Sequence, residues 1–118
     1  MNKPKVYIAG KLNDPAINYL KNVHNMIEWS EKVRRLGYAV YVPATDMLVG
    51  IVKGDLEYQD YFDNGQAFLL ICNAIFVCPG FETSKGTLKE IETAQKHNIP
   101  VFYNIDSLKT WFDNNWKG

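Results

Sequence analysis

Short apolar runs alternate along this chain with longer stretches in which apolar residues recur every three or four positions. Lys5 to Ala9 reads as a strand closed by Gly10, and Lys11 to Pro15 as a polar loop. Ile17 to Leu36 reads as an amphipathic helix, with Leu20, Val23, Ile27, Val33 and Leu36 close to helical spacing and Gly37 ending it. Tyr38 to Val42 is a second strand, stopped by Pro43. Residues 44 to 57 are the least regular stretch, with Met47, Leu48, Val49, Ile51 and Val52 set among Gly50 and Gly54. A connection of that kind is a lid or interface element, or else a loop packed on its own domain. Leu56 to Cys72 reads as helix, weakened in its middle by Asn64-Gly65. Ala74 to Cys78 is apolar throughout, as in a strand covered on both faces. Thr87 to His97 is helical, Pro100 to Tyr103 a fourth strand, and Asp106 or Ser107 caps a last helix that ends near Trp116.

Strands that alternate with helices predict parallel pairing, because helical crossovers bring each strand back in the same direction. The expectation is one α/β domain over residues 1–118. It is a small doubly wound parallel sheet, flavodoxin- or Rossmann-like, of four or five strands in the order 2-1-3-4, with helices on both faces. Ligands of such sheets bind beyond the carboxyl ends of the strands, where the strand order reverses. That point brings the loop after Ala9-Gly10 beside the loop after Pro79-Gly80.

Composition adds exclusions. Apolar residues make up 47% and charged residues 22%, and 13 basic side chains balance 13 acidic ones. With no basic footprint, duplex nucleic acid is not an expected partner, whereas a single nucleotide is compatible. Cys72 and Cys78 sit in apolar surroundings and read as buried free thiols of a reducing compartment. His24 and His97 lack ligand-spaced partners, so no metal site is expected. The first residues lead straight into a strand without a signal-peptide core, and no apolar run has membrane-spanning length. The expectation is a soluble cytoplasmic protein that does not engage membranes.

The candidate chemistry lies between Ala74 and Glu90. An apolar strand enters a Gly/Ser/Thr turn, and the turn enters a helix whose unpaired amides suit an anion such as phosphate. Ser84 either caps that helix or binds the phosphate, Lys85 can balance its charge, Gly86 permits close backbone approach, and Pro79 and Thr87 flank the site. Glu90 is either the reactive carboxylate or an exposed helical glutamate paired with Lys85 or Lys89. Tyr7 faces away from Val6 and Ile8; it either packs in the core or reaches Glu90 across the switch point. Asp60 and Asp63 are solvated, or one of them serves as a general acid beside a nucleophilic carboxylate. The P-loop and Gly-x-Gly-x-x-Gly patterns are absent, Pro79 stands where a receiver domain needs an aspartate, and Lys11-Leu12-Asn13 is too poor in hydroxyls for a flavodoxin loop.

Val6-Tyr-Ile-Ala-Gly10, Tyr41-Val-Pro-Ala44, Leu70-Ile-Cys-Asn-Ala-Ile75, and Pro79-Gly-Phe-Glu-Thr-Ser-Lys-Gly-Thr-Leu-Lys-Glu90, with Ala94 and Ile99-Pro-Val101, carry a family resemblance. Over residues 5 to 104 the chain resembles the nucleoside 2-deoxyribosyltransferase superfamily, above all its short phage-associated branch. That superfamily also holds 2′-deoxynucleoside 5′-phosphate N-hydrolases. The resemblance implies cleavage of the N-glycosidic bond of a (deoxy)nucleoside or its 5′-monophosphate, by hydrolysis or base transfer. Glu90 would attack C1′, Tyr7 would orient it, Ser84 would bind the 5′-phosphate with Gly86 nearby, and Ala9 and Gly10 would line the sugar and base. No metal or organic cofactor is implied, and a homodimer or larger homo-oligomer is. Trp111, Phe112 and Trp116, and the apolar 47–52 stretch, are candidate interface elements, or else pack on their own sheet. The aspartate that protonates the leaving base aligns with Gly65, so Asp63, with Asp60 in reserve, is expected in that role, and the family's Cys-Asp-Ala reads Cys72-Asn73-Ala74.

Two other readings stand beside this one. Pro79-Gly80 and Gly86-Thr-Leu-Lys-Glu90 also resemble the signature of ribonucleoside-monophosphate phosphoribohydrolases of the lysine-decarboxylase-like group, with a longer spacer. The other is a nucleotide-binding or sequestering protein without turnover.

Overall fold

In the computed structural model, which describes residues 3–12, 16–55 and 57–117, four strands pair in parallel. They are Lys5–Ala9 (β1), Ala39–Tyr41 (β2), Ala74–Val77 (β3) and Val101–Phe102 (β4), in the order β2-β1-β3-β4. Tyr7 lies level with Tyr41 on one side and Ile75 on the other. The helices are Ala16–Arg34 (α1), Asp46–Lys53 (α2), Tyr58–Leu69 (α3), Lys85–Lys96 (α4) and Ile105–Asn115 (α5). Single 3-10 turns at Pro43–Thr45 and Phe81–Thr83 precede α2 and α4.

Alternation along β1 and β3 divides the core into two layers, since successive side chains leave opposite faces of a strand. Val6, Ile8, Ala74, Phe76 and Cys78 pack with Val23 and Met26 of α1 and Leu108 and Phe112 of α5. Tyr7, Ala9, Ile75 and Val77 pack with Leu69 of α3 and Ile91 and Ala94 of α4. Phe76 is fully buried, and its replacement by alanine is expected to cost about 3–5 kcal/mol through lost transfer energy and a cavity. With both faces covered, the central strands are uniformly apolar.

Several boundaries differ from the sequence expectation. The stretch expected to be irregular, residues 44 to 57, forms a 3-10 turn and then α2. Gly50, which lowers helix propensity locally, is carried inside that helix. Of the apolar side chains expected there as a lid or interface, Val49 and Val52 are exposed; those of Met47, Leu48 and Ile51 lie outside the description, as does the expected loop at 13–15. Helix α3 starts at Tyr58, where the Glu57 amide donates to Asp60 Oδ2 at 2.8 Å, and it ends at Leu69 rather than Cys72. Leu56, the expected start, also lies outside the described residues. Of the two readings of the C-terminal aromatics, packing on their own sheet is the one seen: Phe112 is buried, with Trp111 and Trp116 edge-on to it. Among the described residues, no helix is long and apolar enough to cross a membrane.

Candidate functional site

Chain direction changes sharply after β3. Gly80 takes φ +88°, a left-handed conformation that costs a glycine little, and the Phe81–Thr83 turn follows. The Ser84 amide donates to the Phe81 carbonyl at 2.8 Å, which sets Ser84 as the N-cap of α4. Ser84 Oγ accepts from the Thr87 amide at 3.2 Å and lies 2.9 Å from Thr87 Oγ1. Thr87 is buried, so its side chain pins the cap to the helix. The first turn of a helix presents amides without intrahelical partners, and Ser84, Lys85 and Gly86 border a cavity at that point.

Glu90 lies on the second turn of α4, where Tyr7 of β1 reaches it. The Tyr7 hydroxyl donates a hydrogen bond to Glu90 Oε2. Burial raises the Glu90 pKa from the ordinary 4.5 to about 7, and the Tyr7 hydrogen bond opposes the rise. Burial, and then the neighbouring Glu90 charge, push the Tyr7 phenol well above its usual range, so it keeps its proton and remains a donor. Gly65 of α3 packs against this pair. A Cβ at that position would stand 2.7 Å from Tyr7 Oη, too close for any side chain without displacing the phenol.

The ring of Tyr7 stacks on Tyr41 at 5.4 Å, and Tyr41 stacks on Phe68 at 4.6 Å. The Tyr41 hydroxyl takes a hydrogen bond from Asn64 Nδ2 at 2.9 Å and donates to Asp46 Oδ2 at 3.5 Å. Burial raises the Asp46 pKa, against the hydrogen bonds from Tyr41 and Asn64. Tyr41 is pushed up to about 12 by burial and by the Asp46 charge.

Tyr7, Asp46, Ser84, Thr87 and Glu90 line one cavity of ≈ 620 Å³ at the carboxyl ends of β1, β2 and β3, with Tyr41 stacked behind Tyr7. Of the residues expected from sequence, Tyr7, Gly10, Ser84, Lys85, Gly86, Thr87 and Glu90 line it. Ala9 does not: it is fully buried, and its carbonyl accepts from the Cys78 amide at 2.8 Å. Pro79 is exposed and off the lining, because the turn at Gly80 carries the chain past it. Asp63, expected as the acid, is also off the lining; it is exposed and accepts from Gln59 Nε2 at 2.7 Å. Each helical residue turns about 100°, so Asp63 stands about 200° round α3 from the inward Gly65. Its reserve, Asp60, is occupied at the start of α3 by the Glu57 amide. The carboxyl that does reach the cavity from outside α4 is Asp46, which sequence reasoning missed. Its position just after Tyr41-Val-Pro-Ala44 was the available signal.

The walls differ in chemistry. Lys85, Lys89 and the start of α4 make one end electropositive, and Lys11 Nζ reaches Thr83 Oγ1 at 3.1 Å nearby. Glu90 and Asp46 supply carboxyls, and Tyr19, Tyr61 and Phe62 supply flat apolar surface. The lining thus combines positive charge, two carboxyls and flat aromatic faces in one cavity. Cys72 and Cys78, both free, are not part of it; burial pushes their thiols up to about 11 and about 12.

The family model described as "Domain of unknown function (DUF4406)" matches residues 4–103. Among solved structures, the fold is similar to that of a 2-deoxyribosyltransferase from the psychrotolerant bacterium Bacillus psychrosaccharolyticus. The TM-score is 0.60 at 19% sequence identity, over 86% of this chain and 75% of that one. No curated protein matches the chain.

Proposed function

The chain belongs to the DUF4406 family, and we propose that it cleaves the N-glycosidic bond of a 2′-deoxynucleoside or its 5′-monophosphate, by hydrolysis or base transfer, with Glu90 as the nucleophile. The observation that carries this reading is the Tyr7–Glu90 hydrogen bond on the wall of a cavity that also holds the start of α4. Ser84 and Glu90 are separated by six residues, about 9 Å along a helix, which leaves room for a sugar between a phosphate at the cap and the carboxyl. Ser84, Lys85 and the first-turn amides bind the 5′-phosphate, and Gly86 lets the ligand approach the backbone closely, while Gly10 lines the cavity with the side where a Cβ would stand packed on Cys78 and Met26. Thr87 acts through Ser84, whose cap it fixes.

Tyr7 holds one carboxyl oxygen of Glu90, leaving the other for C1′. Attack forms a glycosyl ester as the base departs, and water or a second base then releases the sugar from Glu90. A Glu90 pKa of about 7 leaves the group partly protonated near neutrality. That lessens its repulsion toward a phosphate nearby, while the ionised fraction supplies the carboxylate that attacks. The steps use carboxyl and hydroxyl groups of this chain throughout.

Incubation with dCMP, dGMP, AMP and CMP, followed by chromatography of the free base, tests the reading. Base release from the deoxynucleotides, abolished in Glu90→Ala, is the expected result. Release from AMP and CMP alone would assign the site to ribonucleotides. No release from any of them, with binding unchanged in Glu90→Ala, would remove Glu90 from catalysis.

A further inference from the structure

Departure of a nucleobase leaves an electron pair on a ring nitrogen, and an acid that neutralises it speeds the step. Among the described residues, two carboxyl groups line the cavity, Glu90 and Asp46. Glu90 is engaged at the sugar in the proposed function, on which this inference rests. We propose that Asp46 is the acid and base of the reaction: its carboxyl protonates the departing base, and its carboxylate then takes the proton of the incoming water or second base.

Strand order supports the assignment. The start of α4 follows β3, Tyr7 lies on β1, and Asp46 follows β2, next to β1 on the far side. Neighbouring strands lie about 4.8 Å apart, so β3 and β2 are about 10 Å apart. Phosphate over β3, sugar over β1 and base over β2 is the sequence of a mononucleotide laid across the strand ends. Tyr19 and Tyr61 stand with Asp46 at the β2 side, close enough that both add to burial in raising the Tyr19 pKa. Their flat faces suit a planar base.

Helix α3 cannot supply this acid. The space in front of Gly65 is filled by the Tyr7 hydroxyl, which excludes any side chain there. Asp60 and Asp63 are turned to Glu57 and Gln59. Asp46, by contrast, lines the cavity and accepts from the Tyr41 hydroxyl behind it, which Asn64 holds in turn. Its partial burial favours the protonated form that the first step requires.

The step balances. The C1′–N bond breaks as the Glu90 Oε–C1′ bond forms; the bonding pair stays on the base, which receives the Asp46 proton. In the second half, water attacks C1′, its proton passes to the Asp46 carboxylate, and Glu90 leaves as a carboxylate.

The test compares a deoxynucleoside 5′-monophosphate with 4-nitrophenyl 2-deoxyriboside 5-phosphate, whose leaving group needs no proton. Asp46→Asn keeps the size of the side chain and an acceptor for Tyr41. It is expected to slow base release about a hundredfold or more, while the first-turnover burst of 4-nitrophenolate, which needs no acid, stays close to wild type and only its later steady-state release slows with the loss of the general base. Asp46→Glu should recover part of the base release, and Glu90→Ala should lose both activities. Equal loss of the first-turnover rate on both substrates in Asp46→Asn, or no loss on the nucleotide, would overturn the assignment of Asp46 while leaving Glu90 in place. Failure of the wild-type protein to cleave either substrate would overturn the proposed function and this inference with it.

Discussion

The Tyr7 hydroxyl donates to the Glu90 carboxyl across the gap between β1 and α4. The bond joins the middle of the innermost strand pair to the second turn of the helix that starts the site. Both partners are deeply placed: Tyr7 is 1% exposed, and burial is the largest influence on the pKa of each.

Glu90 makes stability depend on pH. Its folded pKa of about 7 lies above the ordinary 4.5, so the native state binds a proton more tightly than the unfolded chain. The associated stability is full below about pH 4.5, declines as pH rises and is lost once pH passes about 7. The shift corresponds to roughly 3 kcal/mol at most. Urea unfolding at pH 5 and pH 8 should show Glu90→Gln gaining on wild type at the higher pH. The activity has the opposite dependence on this group, since the nucleophile must be ionised: kcat/KM should rise with pH to a half-maximum near 7 on its acid limb.

Removing the Tyr7 donor tests its positioning role. The hydrogen bond lowers the Glu90 pKa, so Tyr7→Phe should move the acid limb of the pH profile upward. A hydrogen bond to a charged group contributes about 1.5–3 kcal/mol, so kcat should fall roughly ten- to a hundredfold. An unshifted limb with unchanged kcat would show that the contact is structural alone.

Gly65 and Tyr7 should be coupled. In Gly65→Ala the new Cβ meets Tyr7 Oη at 2.7 Å but the ring Cζ only at 3.8 Å. The single substitution is expected to destabilise by about 1–3 kcal/mol through overpacking, more than alanine's helix propensity of about 1 kcal/mol returns. Adding Tyr7→Phe removes the clashing atom, so the double variant should be more stable than Gly65→Ala alone. Denaturant curves for the four proteins of the cycle give the coupling directly.

Ser84 has two separable duties. As the N-cap of α4, its replacement by alanine should cost about 1 kcal/mol. As a phosphate ligand, its loss should raise KM for a deoxynucleoside monophosphate and leave KM for the free deoxynucleoside unchanged. Equal effects on both substrates would confine Ser84 to capping.

Sequence pattern carried the sheet order, the facing of Tyr7 and the turn from β3 into α4, because each rests on local periodicity or on glycine and serine chemistry. It misjudged positions fixed by tertiary contacts. Gly50 inside α2 and Gly54 just after it hid a helix, and with it Asp46 at the cavity wall. On α3 a polar helix surface gives little phase information, so Asp63 and Gly65 could not be told apart until Tyr7 was seen packed against the latter.

The central claim is a covalent bond between Glu90 and a sugar. Wild-type protein incubated with a 2-fluoro-substituted deoxynucleoside 5′-monophosphate, whose fluorine slows release of the intermediate, can be quenched in acid and digested for mass spectrometry. The account predicts that the peptide containing Glu90 gains the mass of the fluorinated deoxyribose phosphate without its base, and that Glu90→Gln gains nothing. Release of free base with no adduct on that peptide, or an adduct that persists in Glu90→Gln, would contradict it.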